Sequence, residues 1–82
     1  MKKYELTENY IIFNEKKLFQ IKALIQFGDV KPGDLGGYIE KERNLSHYDN
    51  AWVSDNAWVF GNAWVFGNAK ICGNAWVFGK AW

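Results

Sequence analysis

From Asn50 onward, apolar and polar positions recur with a fixed period of six: NAWVSD, NAWVFG, NAWVFG, NAKICG, NAWVFG, then KAW. Within each unit Ala-Trp-Val-Phe alternates with the period of two that sends successive side chains to opposite faces of a strand. Gly-Asn follows as a corner, because glycine takes positive φ without a Cβ clash and asparagine tolerates the left-handed region. The pattern predicts very short strands separated by turns at Gly61-Asn62, Gly67-Asn68 and Gly73-Asn74. Upstream, Tyr10–Phe13 and Leu18–Phe27 read as two strands around the polar connection Asn14–Lys17, which is a hairpin signal. In the second segment Phe19, Ile21, Ala23 and Ile25 alternate with Gln20, Lys22, Leu24 and Gln26. A helix over residues 15–26 is the rival, and the β-branched content with the hairpin signal favours strand. A turn-rich connector through Gly28-Asp29 and Lys31–Asp34 leads to a third short strand, Leu35–Ile39. Gly33, Gly36 and Gly37 lack the strand–turn–helix setting of a phosphate loop and read as turn glycines.

Comparing the units with one another decides which face points inward. The Ala position is always Ala, and the Val position holds Val53, Val59, Val65, Ile71 and Val77. The Trp position accepts Lys70, and the Phe position accepts Ser54 and Cys72. A buried, unpaired lysine is very costly, so the variable positions belong outside. Ala and Val/Ile then form the core, while Trp and Phe are displayed outward, an inversion of the usual apolar-inside rule.

Composition sharpens this picture. An 82-residue chain is one domain, and at this size folding buries only about 60% of the unfolded surface, so a lone core is marginal. Residues 1–49 carry 16 of the 19 charged side chains, and residues 50–82 keep only Asp55, Lys70 and Lys80 among eight Trp and Phe. The net charge of +1 argues against a basic nucleic-acid binder and against an acidic nucleic-acid mimic. One cysteine precludes an internal disulfide, and one histidine with one cysteine is too few for a usual zinc site. The Met-Lys-Lys start runs into Tyr-Glu rather than an apolar stretch, and no 18-residue apolar run suggests a membrane span. The expectation is a soluble protein of a reducing compartment, the cytoplasm, or the host cytoplasm for a phage-encoded chain.

The six-residue period matches the hexapeptide class of parallel β-helix. The NAWVFG units resemble the left-handed β-helix of hexapeptide-repeat proteins. The stretch Phe27–Glu40 (FGDVKPGDLGGYIE), with Glu42–Ser46 and Asn50–Val53, is similar to a narrower group. That group comprises small hexapeptide-repeat proteins of phages, prophages and gut bacteria, described as YdcK-like or polymer-forming. The resemblance implies an all-β fold: an N-terminal β-hairpin cap over residues 1–43, then a left-handed parallel β-helix of about two coils over 44–82. It implies no reaction. Registered backward, the repeat puts Leu45 in the Ala position and His47 in the Val position, with coils at 44–61 and 62–79. Residues eighteen apart then stack: Trp58 with Trp76, Phe60 with Phe78, Trp64 with Trp82, and Trp52 with Lys70 as a cation–π pair. Trp52, Trp58, Phe60, Trp64, Phe66, Trp76, Phe78 and Trp82 are the candidate binding and assembly face. The alternative is that these ladders stiffen the coil or are covered by the chain's own N-terminal hairpin.

Candidate chemistry adds little. Hexapeptide-repeat acyltransferases, which the chain resembles in fold, use a histidine general base; His47 is the one candidate, its position reads as inward, and no acidic spacing orients it. Cys72 reads as a plain outer thiol with no basic neighbour closer than Lys70. Asn44-Leu45-Ser46 fits the glycosylation pattern, which an unsecreted protein does not use. The expectation is a noncatalytic protein-binding and self-assembly module without cofactor or metal. It is expected to be a homo-oligomer, with a dimer favoured and a trimer as the alternative. A phage inhibitor of a host protein is a natural version of this reading. A small-molecule or nucleotide-sequestering oligomer is the second function, and an acyltransferase the third. Lys70 and Lys80 alone cannot serve a run of phosphates, which weighs against nucleic acid.

Overall fold

The structure is a computed structural model and describes residues 2–79. The chain is all-β, and the helical element among the described residues is a single 3₁₀ turn, Glu42–Asn44. β1 (Tyr4–Phe13) and β2 (Lys16–Ala23) form an antiparallel hairpin. Its connection is Asn14-Glu15, with φ of 53° and 67°. Two successive positive φ values define the type I′ turn, whose twist matches that of the flanking strands. β1 starts six residues earlier than the sequence pattern suggests, with Tyr4–Leu6 pairing Ile21–Ala23 ahead of a slip in the ladder between Leu6 and Tyr10 that breaks the alternation. Thr7 secures that bulge: its hydroxyl donates to the Gln20 carbonyl at 2.8 Å and accepts the Asn9 amide at 3.2 Å.

β2 ends at Ala23 rather than Phe27. The Leu24 amide turns back to the Lys3 carbonyl, and Phe27 and Val30 close a tight turn by exchanging two backbone bonds of 3.0 and 2.8 Å. The expected alternation along β2 holds for Ile21 and Ala23, both buried, but Leu18 rather than Phe19 is buried beside them. The ladder to β3 (Leu35–Ile39) slips between Gln20 and Lys22, and such a slip changes which face later residues present.

Beyond β3 the pairing becomes parallel. β5 (Trp58–Val59) lies beside β3, and β7 (Trp76–Val77) beside β5, giving one sheet in the order β1-β2-β3-β5-β7. β4 (Trp52–Val53) pairs with β6 (Lys70–Ile71) in a second, two-stranded sheet, and Leu45 bridges Val65 in parallel. The larger sheet is therefore mixed, antiparallel on its hairpin side and parallel on its repeat side, and both parts of the chain share it. The eighteen-residue offset appears in Trp52 beside Lys70 and in Trp58 beside Trp76. Earlier in the chain the offset is twenty, for Ile39 beside Val59 and for Leu45 beside Val65.

That difference corrects the backward register. Leu45 occupies a Val position, not an Ala position, because eight residues rather than six separate it from Val53. The two extra residues lie in the loop Ser46–Asn50 and carry His47 away from the core.

The inward face is as the unit comparison implies. Ala51, Ala57, Ala63, Val53, Val59 and Val65 are at most 4% exposed and pack with Ile39 and Leu45. Farther along, Ala69 and Ala75 are exposed, and Ile71 and Val77 are half-buried. Corners are fixed by glycine, with φ near 70° at Gly61, Gly67 and Gly73, and by Asp55 at φ 57° in the first unit. Three of these corners carry a bond across to the preceding layer: the amides of Gly61, Gly67 and Gly73 donate to Glu40, Asp49 and Asp55 at 2.8, 2.8 and 3.3 Å. Gly36 and Gly37 are not turn residues. Both lie within β3, where a Cβ on Gly37 would stand 2.5 Å from the Ala57 carbonyl oxygen and one on Gly36 would strike that of Val53.

Candidate binding surface

Of the eight aromatic residues expected outside, Trp82 lies outside the described residues, and the other seven meet different fates. Trp52 belongs to the buried core, a correction to the expectation, because the N-terminal segment packs over it. Trp52 is only 5% exposed and Phe60 only 8%. Phe27 packs edge-on against the Trp52 indole at 5.2 Å, and Tyr4 adds a second edge contact at 6.5 Å. Phe13, at the tip of the hairpin, contacts Trp58, Phe60 and Trp76 at centroid distances of 5.1, 5.6 and 5.1 Å. The N-terminal segment therefore roofs two of the aromatic rows, the alternative left open by the sequence.

Stacking itself follows the eighteen-residue register. Trp58 and Trp76 are 4.8 Å apart and 3° from parallel, and Phe60 and Phe78 are 5.3 Å apart and 10° from parallel. Each such pair contributes about 0.5–1.5 kcal/mol beyond its buried area. Lys70 departs from expectation: it sits beside Trp52 in the ladder, yet its ammonium turns to Asp29 at 3.6 Å. The expected stack of Trp64 on Trp82 lies outside the described residues.

What the roof leaves open is the edge beyond β6 and β7. Trp64, Phe66, Trp76 and Phe78 are 42%, 42%, 50% and 58% exposed. With Ile71 and Val77 they surround an apolar hollow of about 560 Å³. The outer edges of β6 and β7 have no partner strand among the described residues. Unpaired strand edge and apolar surface thus coincide at one end of the molecule, the combination that favours association.

The opposite end is polar and tied down. Lys3 is buried, and its ammonium donates to the carbonyls of Asp49 and Ala51 at 2.7 Å each while lying 4.5 Å from the Phe27 ring centroid. Burial lowers its pKa from the ordinary lysine value, and the nearby Asp49 charge partly offsets that. The Tyr4 hydroxyl lies 2.7 Å from the carbonyls of both Glu42 and Leu45, and burial raises its pKa well above the ordinary value.

His47 is not inward. Its ring stacks on Tyr4 at 4.1 Å, its Nδ1 accepts the Lys3 amide at 3.1 Å, and its Nε2 meets Glu42 Oε1 at 3.0 Å. An acidic partner thus does orient it, brought from five residues away by the 3₁₀ turn. Both ring nitrogens are engaged, so neither is available as a base or a ligand. Cys72 is exposed, as expected. Among the described residues there is no group of three metal-ligating side chains, and no helix is long and apolar enough to cross a membrane.

The Glu42 pair gives the molecule an acid-sensitive joint. The bond from His47, followed by Lys2 at 3.3 Å, holds the Glu42 carboxyl below its ordinary pKa of 4.5. A carboxyl lowered by folding stabilises the native state above its unfolded pKa and loses that contribution as pH falls through the folded value. The unfolding midpoint is expected to drop as the pH falls below the ordinary glutamate value of 4.5. In Glu42→Gln that drop is smaller; an identical pH profile for the variant refutes the assignment.

Several of these residues escape sequence reasoning. Phe13, Phe27 and Tyr4 reach the repeat segment through pairings across 25 to 63 positions, and Glu42 reaches His47 only through the 3₁₀ turn; no local periodicity encodes them. No protein-family model matches the chain, and no curated protein is significantly similar to it.

Proposed function

We propose that the protein is a noncatalytic self-assembly and protein-binding module, built on a short parallel coil with Ala and Val inside. In this reading the three parallel rows of the repeat are the sides of a left-handed coil, the hand being that of the hexapeptide-repeat proteins it resembles. The observation that carries the proposal is the open end, where exposed Trp76 and Phe78 flank half-buried Ile71 and Val77 beside strand edges that have no partner among the described residues. Pairing two such ends in a closed twofold dimer extends the core and hides both edges. Side-by-side trimers are less well supported, because two of the outward rows that would mediate them are roofed by Phe13 and Phe27. A host-protein target rests on the resemblance to phage proteins alone. The absence of turnover is part of the proposal, supported by the engagement of both His47 nitrogens.

Native mass spectrometry tests this directly. Wild type is expected to give a dimer, and Trp76→Ser with Phe78→Ser to shift the population to monomer, the circular dichroism staying that of wild type. Both side chains are at least half exposed, but their loss also removes the stacks on Trp58 and Phe60, so the double variant should lose about 1–3 kcal/mol and remain folded. An unchanged dimer in the double variant places the interface elsewhere and defeats the reading.

A further inference from the structure

A second cavity, which shares only Trp64 with the assembly hollow, has a different character. It is a cleft of about 570 Å³ on the row that the N-terminal segment leaves unroofed. Leu45 and Ala63 form its apolar floor, Trp64 and Tyr48 its aromatic walls, and Arg43 and Ser46 supply polar groups. Its size falls within the range of small-ligand sites, which are mostly apolar with a few convergent polar groups. We infer that this cleft binds a planar aromatic ring bearing a single carboxylate, the ring lying on Trp64 and the carboxylate on Arg43.

Three observations favour that chemistry. Trp64 is 42% exposed and backed by Phe66 at 4.5 Å, so one indole face is supported while surface remains for a ring to cover. Arg43 donates to Asn62 Oδ1 at 2.8 Å, which steadies the guanidinium, and no carboxylate lies within 4.0 Å of it among the described residues. Its remaining donors form the fork that matches a carboxylate in two parallel bonds. Glu42 stands on the same rim, its charge shared with Lys2 and His47. A second negative charge on the ligand meets that carboxylate, so a monoanion fits better than a phosphate dianion.

Isothermal titration of the full chain with indole-3-acetate, indole and guanosine monophosphate tests the assignment. Indole-3-acetate is expected to bind saturably, with indole and the nucleotide each at least about tenfold weaker, the range lost with a charge-assisted hydrogen bond. Arg43→Gln and Trp64→Ser are each expected to weaken indole-3-acetate about tenfold or more, and Arg43→Lys less, since it keeps the charge and loses the fork. Trp76→Ser, in the other cavity, should leave binding unchanged even where it weakens assembly, so failure of one proposal is distinguishable from failure of the other. The assignment is overturned by absence of saturable binding at millimolar probe, by equal affinity for indole, by tighter binding of the nucleotide, or by an Arg43→Gln variant that binds like wild type.

Discussion

Val59→Asp is expected to abolish folding at neutral pH, while Trp64→Lys leaves the circular dichroism intact and moves the unfolding midpoint little. Val59 is fully buried, paired with Ile39 on one side and Val77 on the other. A carboxylate there has no cation to meet, and burying an unpaired charge costs several kcal/mol even after relaxation. A chain of this length has roughly 4–12 kcal/mol in total at about 0.05–0.15 kcal/mol per residue. The penalty is therefore comparable to the whole stability. Trp64 is outward and 42% exposed, so a lysine there keeps its ammonium in water and its stem on the surface. A folded Val59→Asp alongside an unfolded Trp64→Lys would exchange the two faces of the repeat. Trp58 is a poorer control than Trp64, since Phe13 and Trp76 pack on it.

The second large effect is expected at Gly36, in the strand joining hairpin to repeat. A methyl group there collides with the Val53 carbonyl oxygen and stands 2.7 Å from Ile21 Cγ1 and 2.8 Å from Trp52 Cζ2. The oxygen belongs to backbone, so relief requires β3 to lift from β4. Overpacking of this kind costs about 1–3 kcal/mol, and more where backbone must move. Gly36→Ala should therefore lose about 3 kcal/mol or fail to fold. Gly33→Ala is the control: its site is open, and the only cost is the positive φ of 92°, about 1–2 kcal/mol. Urea midpoints for the two variants check the order, and equal midpoints contradict the close approach of β3 to β4.

The parts of this fold that the sequence makes legible are those written locally. The NAWVFG units disclose strand, corner and face, because a lysine at the position of Trp52 and a serine at that of Phe60 mark those positions as outward. Though Lys16 and Lys17 prove to belong to β2 and the turn itself is Asn14-Glu15, a hairpin connection at Asn14–Lys17 and the strand β3 are legible for the same reason. The roof is not. Nothing near Phe13 or Phe27 shows that their rings close over Trp58 and Trp52, for those contacts depend on how far the hairpin folds back. The first layer of the repeat misleads as well, since two extra residues between Leu45 and Val53 break the period of six and displace His47. Its carboxylate partner Glu42 then comes within reach through a 3₁₀ turn that no pattern announces. Of the candidate face, the stacks of Trp58 on Trp76 and Phe60 on Phe78 were foreseeable from spacing; which rings stay exposed was not.

In the proposed assembly, the exposed end around Trp76 and Phe78 joins two copies of the chain. Sedimentation equilibrium of the wild-type protein at micromolar concentration, with acrylamide quenching of its tryptophans in the same samples, tests it most directly. Twice the chain mass is expected, with quenching that increases on dilution as Trp76 is uncovered. A cooperatively folded monomer at those concentrations, its tryptophan quenching independent of dilution, contradicts it.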